Sequence, residues 1–287
     1  RASPSLIPSS PDVFKNMALA AIVGLFLALL VGSAREGMQP LIRSPEEVEQ
    51  AFNLPTLRVV PLQPGQTHTD FRLTSWRSEE AEAYHSIAVA LQQAAGGTLP
   101  KTLLITSTSA SEGKSTTAVG IARSITAMGK AALLIDGDLR HPSLREFFGP
   151  DDRPGLAEVR SGVAAAPQTI QHNGENGFDI VPAGQMLSTP FSLLASPHMQ
   201  ETLRQLTEKY DTVIIDGPPI VGLADAILLA RSVESVLVVV EANRLHRSEI
   251  EIALSRLPGS GIIGTVVTKF NPKSAGTRYG GTDYYSY

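Results

Sequence analysis

Residues 103–116 read Leu103-Leu104-Ile105-Thr106-Ser107-Thr108-Ser109-Ala110-Ser111-Glu112-Gly113-Lys114-Ser115-Thr116, an apolar run that ends in a small polar loop and opens a helical pattern. A strand–loop–helix passage of this kind turns backbone N–H groups toward an anion at a helix N-terminus, where the dipole and the unpaired donors favour negative charge. The stretch reads as a phosphate-binding loop. Ser109, Ala110, Ser111, Glu112, Gly113, Lys114, Ser115 and Thr116 would line a nucleotide, with Lys114 reaching the β- and γ-phosphates and the Ser115 hydroxyl on Mg2+. The general pattern has Gly six positions before the lysine, where this chain has Thr108. Glu112 is expected to be solvated, within reach of the nucleotide.

Two further runs end in acids. Leu133-Leu134-Ile135-Asp136-Gly137-Asp138-Leu139-Arg140 places two carboxylates two apart where a strand stops. Residues two apart in an extended segment share a face, so Asp136 and Asp138 can aim at one Mg2+–phosphate centre. One would orient or deprotonate a nucleophile and the other help hold the metal. Val213-Ile214-Ile215-Asp216-Gly217-Pro218-Pro219 repeats the arrangement, with Asp216 as a metal-side carboxylate and two prolines stopping the strand. The expected catalytic set is Lys114, Asp136 and Asp138; the expected metal set is Ser115, Asp138 and Asp216.

Between these runs the pattern alternates. Strands are expected at Leu103–Thr106, Ala131–Asp136, Thr212–Asp216, Ser235–Val240 and Ile262–Thr268, with helices at 79–94 and 114–128 and further helical stretches between the later strands. Runs apolar on both faces suit central parallel strands, and strand–helix alternation implies an α/β, doubly wound, mostly parallel sheet with its chemistry at the strand carboxyl ends.

Upstream lies a different composition. Asn16 to Ala34 carries no charge, and about 19 helical residues span roughly 28 Å, enough for a bilayer's hydrocarbon core. The expected organisation is a Pro/Ser-rich approach over 1–16, a transmembrane helix over 17–34, a linker over 35–78 with a short helix near 45–52, a nucleotide-binding domain over 79–271, and a flexible tail over 272–287. Lys and Arg flank the span equally, so charge alone does not orient it. The chain has 287 residues, 43% hydrophobic and 18% charged, a net charge of −4 and no cysteine. Collagen-like, coiled-coil and disulfide-scaffold classes are excluded, and no basic stripe marks a nucleic-acid surface. The six histidines are scattered without metal-ligand spacing, and none is assigned as a ligand. Trp76 is expected to pack or to lie near the membrane.

Together, the loop at Thr108–Ser115, the Asp-x-Asp-x-Arg run at Leu133–Arg140, the Asp-x-Pro-Pro run at Val213–Pro219 and the tyrosine-rich tail resemble the bacterial tyrosine kinases. The resemblance covers about Glu79 to the C-terminus and extends to Pro182-Ala183-Gly184 and Leu193-Leu194. It implies ATP and Mg2+ as cofactors and autophosphorylation of Tyr279, Tyr284, Tyr285 and Tyr287. The Pro-rich approach and apolar span resemble the second transmembrane segment of a polysaccharide co-polymerase. That implies an inner-membrane protein with a cytoplasmic kinase domain, acting on capsule or exopolysaccharide polymerisation and export. The implied partners are copies of itself, the polymerase and export machinery, and a protein-tyrosine phosphatase; nucleic acid is not among them. Family members carry Glu-x-x-Arg-x-x-Arg before the loop for ring assembly, whereas here His85 and Ala88 replace both arginines after Glu82. Neither replacement can make the guanidinium's bidentate carboxylate pairs.

The tail can also be read alone. Four of the six tyrosines fall between Tyr279 and Tyr287, among glycines and small polar residues. Its 16 residues reach up to about 50 Å when extended, far enough for a neighbouring subunit's site. Two other functions compete. A partition- or septum-site-type ATPase would carry a signature lysine five residues before Lys114, where this chain has Ser109. A catalytically weak nucleotide-binding scaffold of an export complex would have no need of Lys114, Ser115, Asp136, Asp138 and Asp216 together.

Overall fold

The computed structural model describes residues 13–37, 41–42, 44–61, 79–149, 154–160, 166–172, 177–185, 189–222, 224–257, 259 and 261–271. The tyrosine tail and Trp76 lie outside the described residues. The chain divides into two compact units, residues 1–41 and 42–287.

Among the described residues, the first unit holds one helix, α1 (Val13–Gly37), which starts before the expected span and ends after it. Its segment Val13–Gly32 is long and apolar enough to cross a membrane, and its side chains are exposed throughout. Apolar residues all round a helix give it no polar face to offer water.

The second unit opens with α2 (Pro45–Phe52), started as its sequence dictates. Ser44 Oγ accepts from Glu47 N at 3.3 Å and Pro45 takes a first-turn position where its missing N–H costs nothing. There follow β1 (Thr56–Pro61), α3 (Glu79–Ala94), β2 (Thr102–Ser107), α4 (Lys114–Ala127), β3 (Ala132–Asp136), α5 (Leu144–Phe148) and α6 (Leu156–Arg160). After a 3-10 turn come β4 (Asp179–Val181), α7 (Pro190–Leu194), α8 (Pro197–Thr207), β5 (Thr212–Asp216), α9 (Asp225–Ala230), β6 (Ser235–Glu241), α10 (Arg247–Ser255) and β7 (Ile262–Phe270).

The seven strands form one parallel sheet in the order β1-β7-β6-β2-β5-β3-β4. Alternate side chains feed two cores. Leu103, Ile105, Leu134, Ile214, Leu237 and Val239 pack with Ile87 and Leu91 of α3 and Val119, Ile121 and Ile125 of α4. Leu104, Leu133, Val213, Ile215 and Val238 face the other way, with Leu203 and Leu206 of α8, Leu229 of α9 and Ile250 of α10. Each such buried Leu or Ile contributes roughly 1.5–3 kcal/mol relative to exposure. This two-sided cover is why the central strands are apolar at every position.

Residues 35–78 are more than a linker. Residues 42–61 belong to the second unit, and β1 pairs with β7, Thr56 opposite Thr265. Pro55 and Pro61 bound this edge strand, where a missing N–H leaves no ladder bond unmade. Its own Leu57 and Val60 are buried. β4 closes the opposite edge with three residues, too short a run to carry a readable period.

α3 and α4 meet closely. A Cβ on Gly120 would fall 2.5 Å from the Tyr84 ring, so the helix that carries the phosphate-binding loop seats against a tyrosine only because residue 120 has no side chain.

Candidate nucleotide and metal site

Parallel pairing sets the ends of β3 and β5 level, and β2 runs two residues further. Asp136, the last residue of β3, is the register partner of Asp216, the last of β5, and Ile105 of β2 pairs with Asp216 on the other side. The chain leaves these ends through tight crossings: Gly217 N donates to Ile105 O at 2.8 Å, and Gly137 N to Asp216 O at 2.9 Å. A Cβ at Gly217 would strike Leu104 Cδ1 at 2.5 Å. Pro218 O accepts from Thr106 Oγ1 at 2.7 Å, fixing the turn after β5 beneath the loop after β2.

The loop itself is folded by backbone geometry. Ser111 and Gly113 have φ of 64° and 90°, and α4 begins at Lys114 with no side-chain cap on its first turn. Uncapped N–H groups at a helix start suit an anion. Thr108 fills the usual glycine position without positive φ; it is buried, and its carbonyl accepts from Val221 N at 3.1 Å. The loop is also braced by β7, a contact no local motif announces. Thr268 Oγ1 donates to Glu112 O at 2.6 Å, and Lys269 Nζ to Ser111 O at 3.0 Å.

Glu112 departs from its expected solvation: it is fully buried. Its Oε2 accepts from Ser109 N at 3.1 Å, while Oε1 has no hydrogen-bond partner. Burial pushes its carboxyl up to about 7, against the hydrogen bond from Ser109.

Lys114 Nζ donates to Asp138 Oδ2 at 3.1 Å, both side chains buried. Burial works against the ammonium, but the charges of Asp216, Asp138 and Asp136 overcome it and hold its pKa above the usual value. Asp136 is pushed up to about 8, first by burial and then by the charge of Asp216. Asp216, wholly enclosed, is raised by burial, with Lys114 and the Ser115 and Ser143 hydroxyls opposing. Three carboxyls therefore gather around one lysine, and burial raises two of them, Asp136 and Asp216.

One turn, 141–144, contacts all three. His141 N donates to Asp138 Oδ1 at 3.2 Å, Leu144 N to Asp136 Oδ2 at 3.1 Å, and Ser143 Oγ to Asp216 Oδ2 at 3.1 Å. Ser143 Oγ also lies 2.6 Å from Ser115 Oγ. Ser115 and Asp216, two of the expected metal residues, are thus joined through Ser143, while Asp138 turns to Lys114. Arg140 swings outward and donates from Nε to Asp225 Oδ2 at 2.6 Å. Ser143, Thr268, Lys269 and Asp225 were outside the sequence expectation. Only Ser143 had a local signal, a hydroxyl residue just before an apolar helix start.

The donor set fits a hard divalent cation. Asp136 Oδ1 and Asp216 Oδ1 are buried oxygens without a hydrogen-bond partner, and Ser143 links the Ser115 hydroxyl to Asp216. Among the described residues, no three acidic or imidazole groups converge to hold an ion alone, which suits Mg2+ shared with nucleotide phosphates. In α3, His85 is half-buried and Ala88 is buried in the core between α3, α4 and the sheet.

A family model described as AAA domain matches residues 101–254. Tyrosine-protein kinase YwqD of Bacillus subtilis is 32% identical over 62% of this chain and 75% of its own length. Tyrosine-protein kinase ptk of Acinetobacter johnsonii is 26% identical over 94% of this chain but 38% of its own length. The chain spans about two fifths of the long relatives it matches. The solved kinase domain of Escherichia coli tyrosine kinase ETK superposes with a TM-score of 0.73 at 26% identity, covering 79% of this chain and 94% of that domain.

Proposed function

The chain belongs to the bacterial tyrosine kinase family, and from that premise we propose that it transfers the γ-phosphoryl group of ATP to tyrosines of its own C-terminal tail. The observation that carries the proposal is the trio Asp136, Asp138 and Asp216 around Lys114, with two buried carboxylate oxygens left unpartnered. Such an arrangement is costly without a ligand and suits a metal–phosphate centre.

Each residue has a task its geometry allows. The uncapped start of α4 would receive the phosphates, and Lys114 would exchange Asp138 for the transferring group as negative charge shifts there. Asp136, with a pKa near neutrality and a free Oδ1, is suited to take the proton of a tyrosine hydroxyl. The tyrosine oxygen then bonds to the γ-phosphorus, the bond from that phosphorus to the β–γ bridging oxygen breaks, and ADP leaves. Ser115 and Asp216 would hold Mg2+, which when bound neutralises phosphate charge and aligns the transfer. The names of the relatives support the kinase reading.

The acceptors in this reading are Tyr279, Tyr284, Tyr285 and Tyr287, used in trans within a homo-oligomer. Val13–Gly32 would anchor the chain in the bacterial inner membrane with the kinase unit in the cytoplasm. Its partners would be the polysaccharide polymerase and export machinery and a protein-tyrosine phosphatase.

The test is incubation of the detergent-solubilised chain with γ-labelled ATP and Mg2+, followed by phosphoamino-acid analysis and peptide mapping. Phosphotyrosine in the tail is expected, and the four-fold Tyr→Phe variant should lose most label while still binding nucleotide. Free phosphate without phosphotyrosine would replace the kinase by an ATPase. Label on Tyr84 or Tyr210 would remove the tail from the proposal.

A further inference from the structure

Ser143 stands where a helix cap is expected, and it does not cap. It is the N-cap residue of α5, yet its side chain makes no bond to that helix. A serine in this place ordinarily accepts from the second or third N–H of the helix. Its hydroxyl is turned the other way, 2.6 Å from Ser115 Oγ and 3.1 Å from Asp216 Oδ2.

The direction of the protons follows from the geometry at Asp216. Ser143 Oγ donates to Asp216 Oδ2. The 2.6 Å contact is then Ser115 Oγ–H donating to Ser143 Oγ. A hydroxyl whose proton is committed in this way offers its lone pairs elsewhere. Asp216 is fixed by one oxygen, and its other, Oδ1, is buried and unpartnered. The relay from Ser115 through Ser143 to Asp216 therefore leaves one hydroxyl oxygen and one carboxylate oxygen available together.

We propose that Ser143 is a positioning residue for a divalent cation held by Ser115 and Asp216, acting on both ligands through this relay. The inference rests on the metal–nucleotide reading of the site and adds to it a residue that no motif contains. The backbone donors His141 and Leu144 hold Asp138 and Asp136 from the same turn, but the Ser143 link runs through a side chain and can be removed by substitution.

The test uses the detergent-solubilised chain, ADP, and Mn2+ as a paramagnetic probe of the cation. Ser143→Ala should weaken Mn2+ binding in the presence of ADP by about 10- to 100-fold, the usual cost of losing a partner that orients a metal ligand, while ADP affinity in chelator changes less than about twofold. Ser143→Thr, which keeps the hydroxyl, should restore most of the Mn2+ affinity. Wild-type Mn2+ affinity in Ser143→Ala would overturn the proposal. So would an equal loss of ADP affinity in chelator, because Ser143 would then only support the loop. A wild-type chain that binds no Mn2+ with ADP would sink the metal reading and this inference together. A chain that binds Mn2+ with ADP but forms no phosphotyrosine would sink the kinase reading and leave Ser143 in its place.

Discussion

Two charge clusters in this molecule look alike on paper and behave oppositely. On α8, Arg204 sits 2.8 Å from Glu201 and 2.6 Å from Glu208, all three exposed. At the strand ends, Lys114 and Asp138 are 3.1 Å apart and buried. The exposed cluster has the shorter contacts and the more complete pairing. Hydrogen bonds from Arg204 bring the Glu201 carboxyl down to about 2, so that acid is content in its charged form. In the buried cluster, the Asp136 carboxyl is driven up to about 8. Contact distance does not set the two apart; what distinguishes the strand-end cluster is that its ionisable groups are gathered without solvent, with buried carboxylate oxygens left unpartnered.

Substitutions can break this contrast or sharpen it. The largest effect is expected from Lys114→Met, which should lower tyrosine phosphorylation by about 100- to 1,000-fold. It should also lower the melting temperature at pH 8, because three acids would face one another without a cation. Unchanged phosphotyrosine formation would put the chemistry elsewhere. Asp136→Asn should cut transfer by about 100-fold or more if this carboxylate takes the tyrosine proton. Yet it should raise the stability of the nucleotide-free protein above pH 8, by on the order of 1 kcal/mol, since an ionised group is removed from a place that disfavours it. Loss of both activity and stability would mean that Asp136 supports the fold.

Glu112→Gln is a smaller test, of pH dependence. A carboxyl raised from 4.5 to about 7 on folding makes the folded state hold a proton that the unfolded chain has released. Its contribution to stability is therefore greatest at low pH and is lost as pH rises from about 4.5 to about 7. Urea titrations across that window should show the variant losing less stability, by up to about 1 kcal/mol per pH unit. Parallel pH profiles would show that Glu112 ionises freely. Least is expected of Arg204→Ala: activity and melting temperature should match wild type despite the loss of two short ion pairs. A clear drop in either would erase the distinction between the clusters.

The legible and illegible parts of the molecule divide by distance along the chain. Thr212–Asp216 is a strand with the bounds its aliphatic run implies, and Asp136 and Asp216 end their strands as the acid-terminated pattern requires. Those features are local. The burial of Glu112 was not legible, because Thr268 and Lys269, which brace its loop, come more than 150 residues later. Nor was β1, since Thr56–Pro61 becomes a strand only through its pairing with β7. Ser143 falls between: its position was readable as a cap, but its use depends on Asp216, 73 residues away.

That late pairing bears on how the chain is made. In the sheet, β7 lies between β1 and β6, so β1 has no strand partner until the end of the second unit has been synthesised. Roughly 200 residues separate the two, which at about 5–20 residues per second is a wait of some 10–40 s. During that interval Leu57, Val59 and Val60 form a β-prone apolar run without a neighbour. A nascent chain halted before Ile262 would keep that edge unpaired, and association with another unfinished chain would be its nearest substitute.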